Sequence, residues 1–332
     1  MSQRDGVLIA LGLLALPVAA QPERHAFVRQ QMGTEVRIVL WASDSLTARG
    51  AANLAFARID SLERLLSDYI SGSELNRLSA TAGADSSVRV SRDLWVVLSR
   101  SLALSEETGG AFDVTVGPLT RLWRWAKRRS RLPSEDRLRE SRSAVGYSYI
   151  SLDSTTRSVT LLKDGMRLDL GGIAKGYAAD EALRVLRQRG VDRALVDAGG
   201  DIAVGRAPPG MPGWTISVGS RLENGVVTLE QRLIAKLGVA TSAANYRHIE
   251  SEGLRISHIL DPRSGTFLTS ERHVTVVAVS GMEADALASA CSVLEPQAAR
   301  ALIERRPTAE IRILTADSTF ESSGFQRLML KR

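Results

Sequence analysis

"RLDLGGIAKGYAADEALRVLRQRG", residues 167–190, reads as a strand, a glycine turn and an amphipathic helix. Apolar side chains at Ile173, Tyr177, Ala178, Ala182, Val185 and Leu186 fall on one helical face, which predicts a helix from about Ile173 to Arg189. Gly190 stands where a left-handed closing residue belongs. The start is unusual, with Gly171, Gly172 and Lys175 where an ordinary capping residue is expected. A helix N-terminus offers unpaired N–H groups and partial positive charge, and glycine lets another group come close. That pattern suits either an anion such as phosphate or a tight strand-to-helix turn with no ligand.

Outward from this segment, the chain alternates strand-like and helix-like stretches. Residues 32–42 alternate as a strand, 44–66 repeat at helical spacing, and 91–110 form a second helix entered at Ser91 and closed by Gly109 and Gly110. "YISLDSTTRSVTLL" reads as a hairpin. Past the opening helix, "RALVDAGGDIAVG", "WTISVG", "LIAKLGVATS", "LRISHILD" and "HVTVVAVS" are strand-like. "MEADALASACSVL" and "PQAARALIERR" are helices, and "EIRILTA" is a closing strand. The order predicts an α+β or mixed α/β fold with mixed sheets and packed helices, and no internal repeat.

Composition agrees with a folded globular chain. Of 332 residues, 44% are hydrophobic and 24% charged, and the net charge of +6 suits an acidic ligand without requiring nucleic acid. "MSQRDGVLIALGLLALPVAA" (1–20) has a charged start, an apolar run too short for an easy membrane span, and small residues at Val18 and Ala20. These features predict a secretory signal peptide, an exported protein, and a mature unit of 21–332. The one cysteine, Cys291, excludes an internal disulfide, a cysteine-rich zinc site and a lipid-bearing cysteine near the leader.

Several common motifs fail. Adjacent Gly171 and Gly172 break the G-x-G-x-x-G pattern, no Gly-Lys-Ser/Thr follows, and the four histidines lack H-E-x-x-H spacing. Four features remain. In "SGMEADALASACSVL", Ser280 and Glu283 form a capping box, and Asp285 and Ser289 lie four apart on one face. A carboxylate and a hydroxyl are hard donors suited to magnesium. The apolar surroundings predict a buried Asp285 that needs a partner, which favours an ion over a solvated polar pair. His258 in "ISHILDPRSG" either positions a phosphate or moves a proton, or else holds the turn at Asp261. Tyr69 in a loop near Glu74 either stacks on a planar ring or covers a core edge. "RLWRWAKRRSRLP" reads as a wet basic surface, with docking of an acidic partner as the alternative.

These motifs in order, "MGTEV", "SDYISGSELNRL", "GAFDVTVGPLTRLW", "LDLGGIAKGYAAD", "LVDAGGDIAV", "VATSAANYRHI", "SHILDPRSG" and "ADALASACSVL", resemble the FAD:protein FMN transferase (ApbE) family from about Met32 to Leu294. The resemblance implies a T-fold-like catalytic unit and a Mg²⁺-dependent periplasmic enzyme. Such an enzyme joins the FMN half of FAD to a Thr or Ser of a target protein, a membrane redox subunit, and releases AMP. It implies that Met32, Tyr69, Ala111, Phe112, Asp113, Gly171, Lys175 and Tyr177 line the FAD site. It further implies a metal held by the Ala174 carbonyl, Asp285 and Ser289. Here Ser289 replaces the family's Thr, and "ATSAANYR" replaces the more usual "ATSGDYR". His258 is the candidate general base and a further FAD contact, with Asp113 or Asp180 as substitutes. An FAD pyrophosphatase and a non-catalytic flavin carrier are the competing readings.

Overall fold

The computed structural model describes residues 21–129, 131–223, 226–243, 248–251, 254–257, 259–268 and 272–328. The leader (1–20), His258 and the 244–247 part of "ATSAANYR" lie outside the described residues. No described helix is long and apolar enough to cross a membrane.

The chain starts with a hairpin, β1 (Glu23–Gln31) and β2 (Thr34–Ala42), turned at Met32 and Gly33 with φ of 50° and 70°. Two positive φ values in a two-residue loop match the right-handed twist of the paired strands. Helix α1 (Ser45–Leu66) is capped by Asp44, whose Oδ1 accepts from the Thr47 N–H at 2.8 Å. It buries Ala48, Ala51, Ala52, Ala55, Phe56, Ile59, Leu62 and Leu66 along one stripe. Then follow α2 (Glu74–Ser79), β3 (Val88–Arg89), α3 (Arg92–Glu107), α4 (Gly117–Arg129), α5 (Glu135–Ser143), β4 (Ile150–Asp153) and β5 (Ser158–Leu161). Ser91 caps α3 as its sequence predicts, accepting from the Leu94 N–H.

Helix α6 (Ala174–Gln188) ends at Gly190, φ 79°, as expected. After it come β6 (Ala194–Ala198), β7 (Ile202–Val204), the hairpin β8 (Trp214–Glu223) and β9 (Val226–Ile234), and β10 (Gly238–Ala243). The chain continues through the hairpin β11 (His248–Ser251) and β12 (Leu254–Ser257), then β13 (His273–Ala278). It closes with α7 (Gly281–Val293), α8 (Pro296–Glu304), β14 (Glu310–Leu314) and β15 (Thr319–Glu321).

The main sheet has eight strands in the order β1-β2-β6-β7-β10-β13-β14-β15. The architecture is α+β, and every ladder among the described residues is antiparallel. The one parallel pairing among the described residues is an isolated bridge between Val116 and Arg167. Alternation along the strands divides the core. Val36, Ile38, Leu40, Val196, Val274 and Val276 face α1, α6, α7 and α8. Val39, Val239 and Val277 face the other way, beneath Trp214, Ile216 and Val218 of the β8–β9 hairpin.

Two local expectations change. Residues 167–170 form no strand. Their backbone is satisfied by two other segments: Leu168 N–H donates to the Ser79 hydroxyl, Asp169 N–H to the Val114 carbonyl, and Arg167 O accepts from Gly117 N–H. The basic stretch beginning at Arg121 is a helix, α4, with Leu119, Leu122 and Ala126 buried at helical spacing.

Candidate active site

The glycines that open α6 are spacers between helices. A Cβ on Gly176 would stand 2.1 Å from the Gly281 carbonyl oxygen, and one on Gly172 2.7 Å from the Ser289 hydroxyl. Glycine at these positions lets α6 and its preceding turn lie directly on α7. Asp169 locks the turn itself: its Oδ1 accepts from Gly171 N–H at 2.8 Å, and its Oδ2 from the Thr120 hydroxyl at 2.7 Å.

That contact brings Asp285 to the start of α6. Its Oδ2 accepts from the Gly176 N–H at 3.0 Å, so a carboxylate from the neighbouring helix occupies the positive end of α6. Asp285 is 5% exposed. Burial pushes its carboxyl above the ordinary range, while the Lys175 charge and the Gly176 N–H act in the opposite direction. Ser289, one turn along α7, lies against the glycine turn. Lys175 is ion-paired with Asp201 from the β6–β7 turn.

A buried carboxylate, a hydroxyl and adjacent turn carbonyls form a hard-oxygen donor set that fits Mg²⁺. Among the described residues no three His, Cys, Asp or Glu side chains gather as a metal cluster. Asp285 and Ser289, with the Ala174 carbonyl that the resemblance implies, could hold such an ion.

These residues floor a cleft of about 1560 Å³. Met32, Tyr69, Ala111, Phe112, Asp113, Gly171, Ala174, Lys175, Asp285 and Ser289 all line it. Phe112 and Ala111 are buried, whereas Tyr69 is 72% exposed and presents its ring to the cleft.

Three of the expected site residues make hydrogen bonds that hold the fold. Tyr177 points away from the cleft; its hydroxyl donates to Asp93 at 2.7 Å, in a buried network where Arg58 joins Asp93 and Glu181. Its side chain leaves α6 on the face that packs against α1 and α3, about 200° round the helix from Lys175 at 100° per residue. Asp180 is a cap: its two oxygens accept from Gly281 N–H at 2.8 Å and Met282 N–H at 2.9 Å. Asp113 borders the cleft, but its carboxylate holds a loop, accepting from Thr115 N–H, the Thr115 hydroxyl and Tyr147 N–H. Both carboxylates are engaged by backbone N–H groups of the fold. Glu74 likewise bonds Ser91 and ties α2 to α3.

Sequence reasoning missed Arg124, Asp169 and Asp201. Arg124 reads as part of a surface run. Yet Thr120, Trp123 and Arg124 share a helical face beside buried Leu119, and that spacing was the available signal.

The sequence model of the ApbE family matches residues 32–313. The FAD:protein FMN transferase of Treponema pallidum (strain Nichols) is 29% identical over 338 residues, covering 97% of this chain and 93% of the relative. That of Klebsiella pneumoniae (strain 342) is 30% identical over 298 residues, covering 90% and 91%. The structure of Pseudomonas stutzeri flavinyl transferase ApbE in its apo form superposes with a TM-score of 0.80 at 29% identity, covering 93% of this chain and 97% of the other. Flavin transferase ApbE from Vibrio cholerae gives 0.83 over 93% of this chain and 100% of the other, and at 24% identity its likeness is one of fold. With the match running from the Met32 turn to strand β14 across every wall of the cleft, the chain belongs to the ApbE family.

Proposed function

We propose that this chain transfers the FMN half of FAD to a serine or threonine hydroxyl of a target protein, with Mg²⁺, and releases AMP. FAD:protein FMN transferase is the activity its curated relatives carry in their names. The observation that supports the finer reading is the buried Asp285 carboxylate at the α6 N-terminus, beside Ser289 and Lys175 at the floor of one cleft.

The chemistry follows from charge. The acceptor oxygen forms a bond to the FMN-side phosphorus, and the bond from that phosphorus to the oxygen of the AMP phosphate breaks. AMP takes the electron pair, and the hydroxyl proton goes to a base. Bound Mg²⁺ would offset negative charge on the pyrophosphate. Lys175 adds a fixed positive charge to the same cleft, held in place by Asp201. Asp169 fixes the glycine turn, so little reorganisation is needed at the reacting centre. Tyr69 offers a ring face to a planar ring of FAD. His258 is our candidate proton acceptor, from its place in "SHILDPRSG". The apolar leader supports an exported, periplasmic setting, and a membrane redox subunit is our expected class of acceptor.

Purified chain incubated with FAD, Mg²⁺ and a candidate acceptor tests this. Labelled acceptor plus AMP is the expected result; free FMN with unlabelled acceptor would mean a hydrolase, and intact FAD a carrier. Asp285→Ala and Asp285→Asn should each slow transfer about 10²–10³-fold. The Asn variant keeps an acceptor for the Gly176 N–H, so its thermal unfolding should stay close to wild type. Wild-type transfer by Asp285→Asn at saturating Mg²⁺ would refute the metal role.

A further inference from the structure

We propose that Arg124 is a positioning residue that ties the Tyr69 ring and the glycine turn into one preformed wall of the cleft. The inference rests on the reading that FAD occupies this cleft.

Tyr69 is an aromatic side chain in a loop, and at 72% exposure packing does little to fix its ring. The Arg124 guanidinium lies 4.1 Å from the ring centroid. The edges of that guanidinium are engaged elsewhere. Nη1 donates to Asp68 Oδ2 at 2.5 Å, and Nη2 donates to Asp169 Oδ2 at 3.1 Å. The same Asp169 accepts from Gly171 N–H through its other oxygen. One planar cation therefore joins the residue beside the ring to the residue that locks the glycine turn.

The Arg124 side chain is 19% exposed, and those of Asp68 and Asp169 are 14% and 10%. A pair so shielded is screened less by salt than a surface pair. The loop is also braced from behind, since the Asn76 amide donates to the Asp68 carbonyl at 3.0 Å and the Ile70 carbonyl at 2.8 Å. Asp68 carries the cost of the arrangement: burial and the neighbouring Asp169 charge push its carboxyl up, and Arg124 offsets only part of that rise. A wall ordered before the ligand arrives spares FAD the entropy of ordering it on binding. Lysine cannot replace this arginine, because it has no plane to lie on the ring and no fork to span two carboxylates.

Titration of the whole chain with FAD in the presence of Mg²⁺, followed by quenching of flavin fluorescence, tests the proposal. Arg124→Gln should raise the Kd for FAD about fivefold to tenfold and reduce the quenching. Arg124→Lys should restore only part of the affinity. Asp68→Asn keeps the cation and its bond to Asp169, guards against a folding defect, and should weaken binding about twofold to threefold. Tyr69→Leu should weaken binding in the wild-type background and add little to Arg124→Gln, because the two act through one ring. Wild-type Kd and quenching in Arg124→Gln, or full additivity with Tyr69→Leu, would reduce Arg124 to a structural ion pair and leave the function intact. Failure of the wild-type chain itself to bind FAD would overturn the functional reading and this one together.

Discussion

At the scale of the residue, Gly172 and Ser289 show how little room the site allows. A methyl group on Gly172 would meet the Ser289 hydroxyl at 2.7 Å and its Cβ at 3.1 Å. Gly172→Ala should therefore cost about 1–3 kcal/mol of stability and displace the hydroxyl from the turn. Adding Ser289→Ala removes the obstructing oxygen and should return most of that stability, while Mg²⁺-dependent AMP release stays low. Thermal unfolding and AMP assays on the single and double variants check both halves; recovery of activity in the double variant would remove Ser289 from the proposed metal site. At this scale the burial of Asp285 was readable from its apolar neighbours along α7. The direction of Tyr177 was not readable. An amphipathic stripe names the buried face of a helix without saying which neighbour covers it.

At the scale of the element, helix starts were legible because caps are written in adjacent residues. Ser280 accepts from Glu283 N–H at 3.2 Å, as its capping box predicts. The second cap on α7 comes from Asp180, a hundred residues earlier, and no local pattern announces it. Burial pushes the Asp180 carboxyl from 3.8 up to about 6. The folded state thus holds the proton more tightly than the unfolded chain. Stability from this group is fully present below about pH 4 and lost as pH rises through about 6, an effect on the order of 2–3 kcal/mol. Asp180→Asn should flatten that stretch of the stability–pH curve, measured by urea unfolding between pH 4 and 7. An unchanged slope would mean that Asp180 ionises as it does in the unfolded chain. Helix α4 was harder to see because exposed arginines crowd the same stretch as its buried Leu119, Leu122 and Ala126.

At the scale of the whole molecule, the eight-stranded sheet separates a helical core from the smaller core beneath the β8–β9 hairpin. Arg312 on β14 joins that hairpin to the sheet. Its side chain is 4% exposed, it donates to the Gly219 carbonyl at 2.8 Å, and it is ion-paired with Glu230 and Glu321. Arg312→Ala leaves carboxylates facing one another with no cation and should cost about 3–5 kcal/mol. Chemical denaturation gives the number, and a loss below about 1 kcal/mol would mean the group behaves as a surface pair.

The amino-acid sequence alone determined where the principal helices begin, which strands alternate, and which motifs align with the ApbE family, because periodicity and capping depend on residues a few positions apart. Only the tertiary structure decided that Asp285 reaches the α6 N-terminus across 109 residues, that Arg124 turns inward to Asp169 across 45, and that Tyr177 faces away. Those outcomes depend on how closely helices pack, and that distance is set by the absence of side chains at Gly172, Gly176 and Gly281, whose neighbours no local pattern specifies.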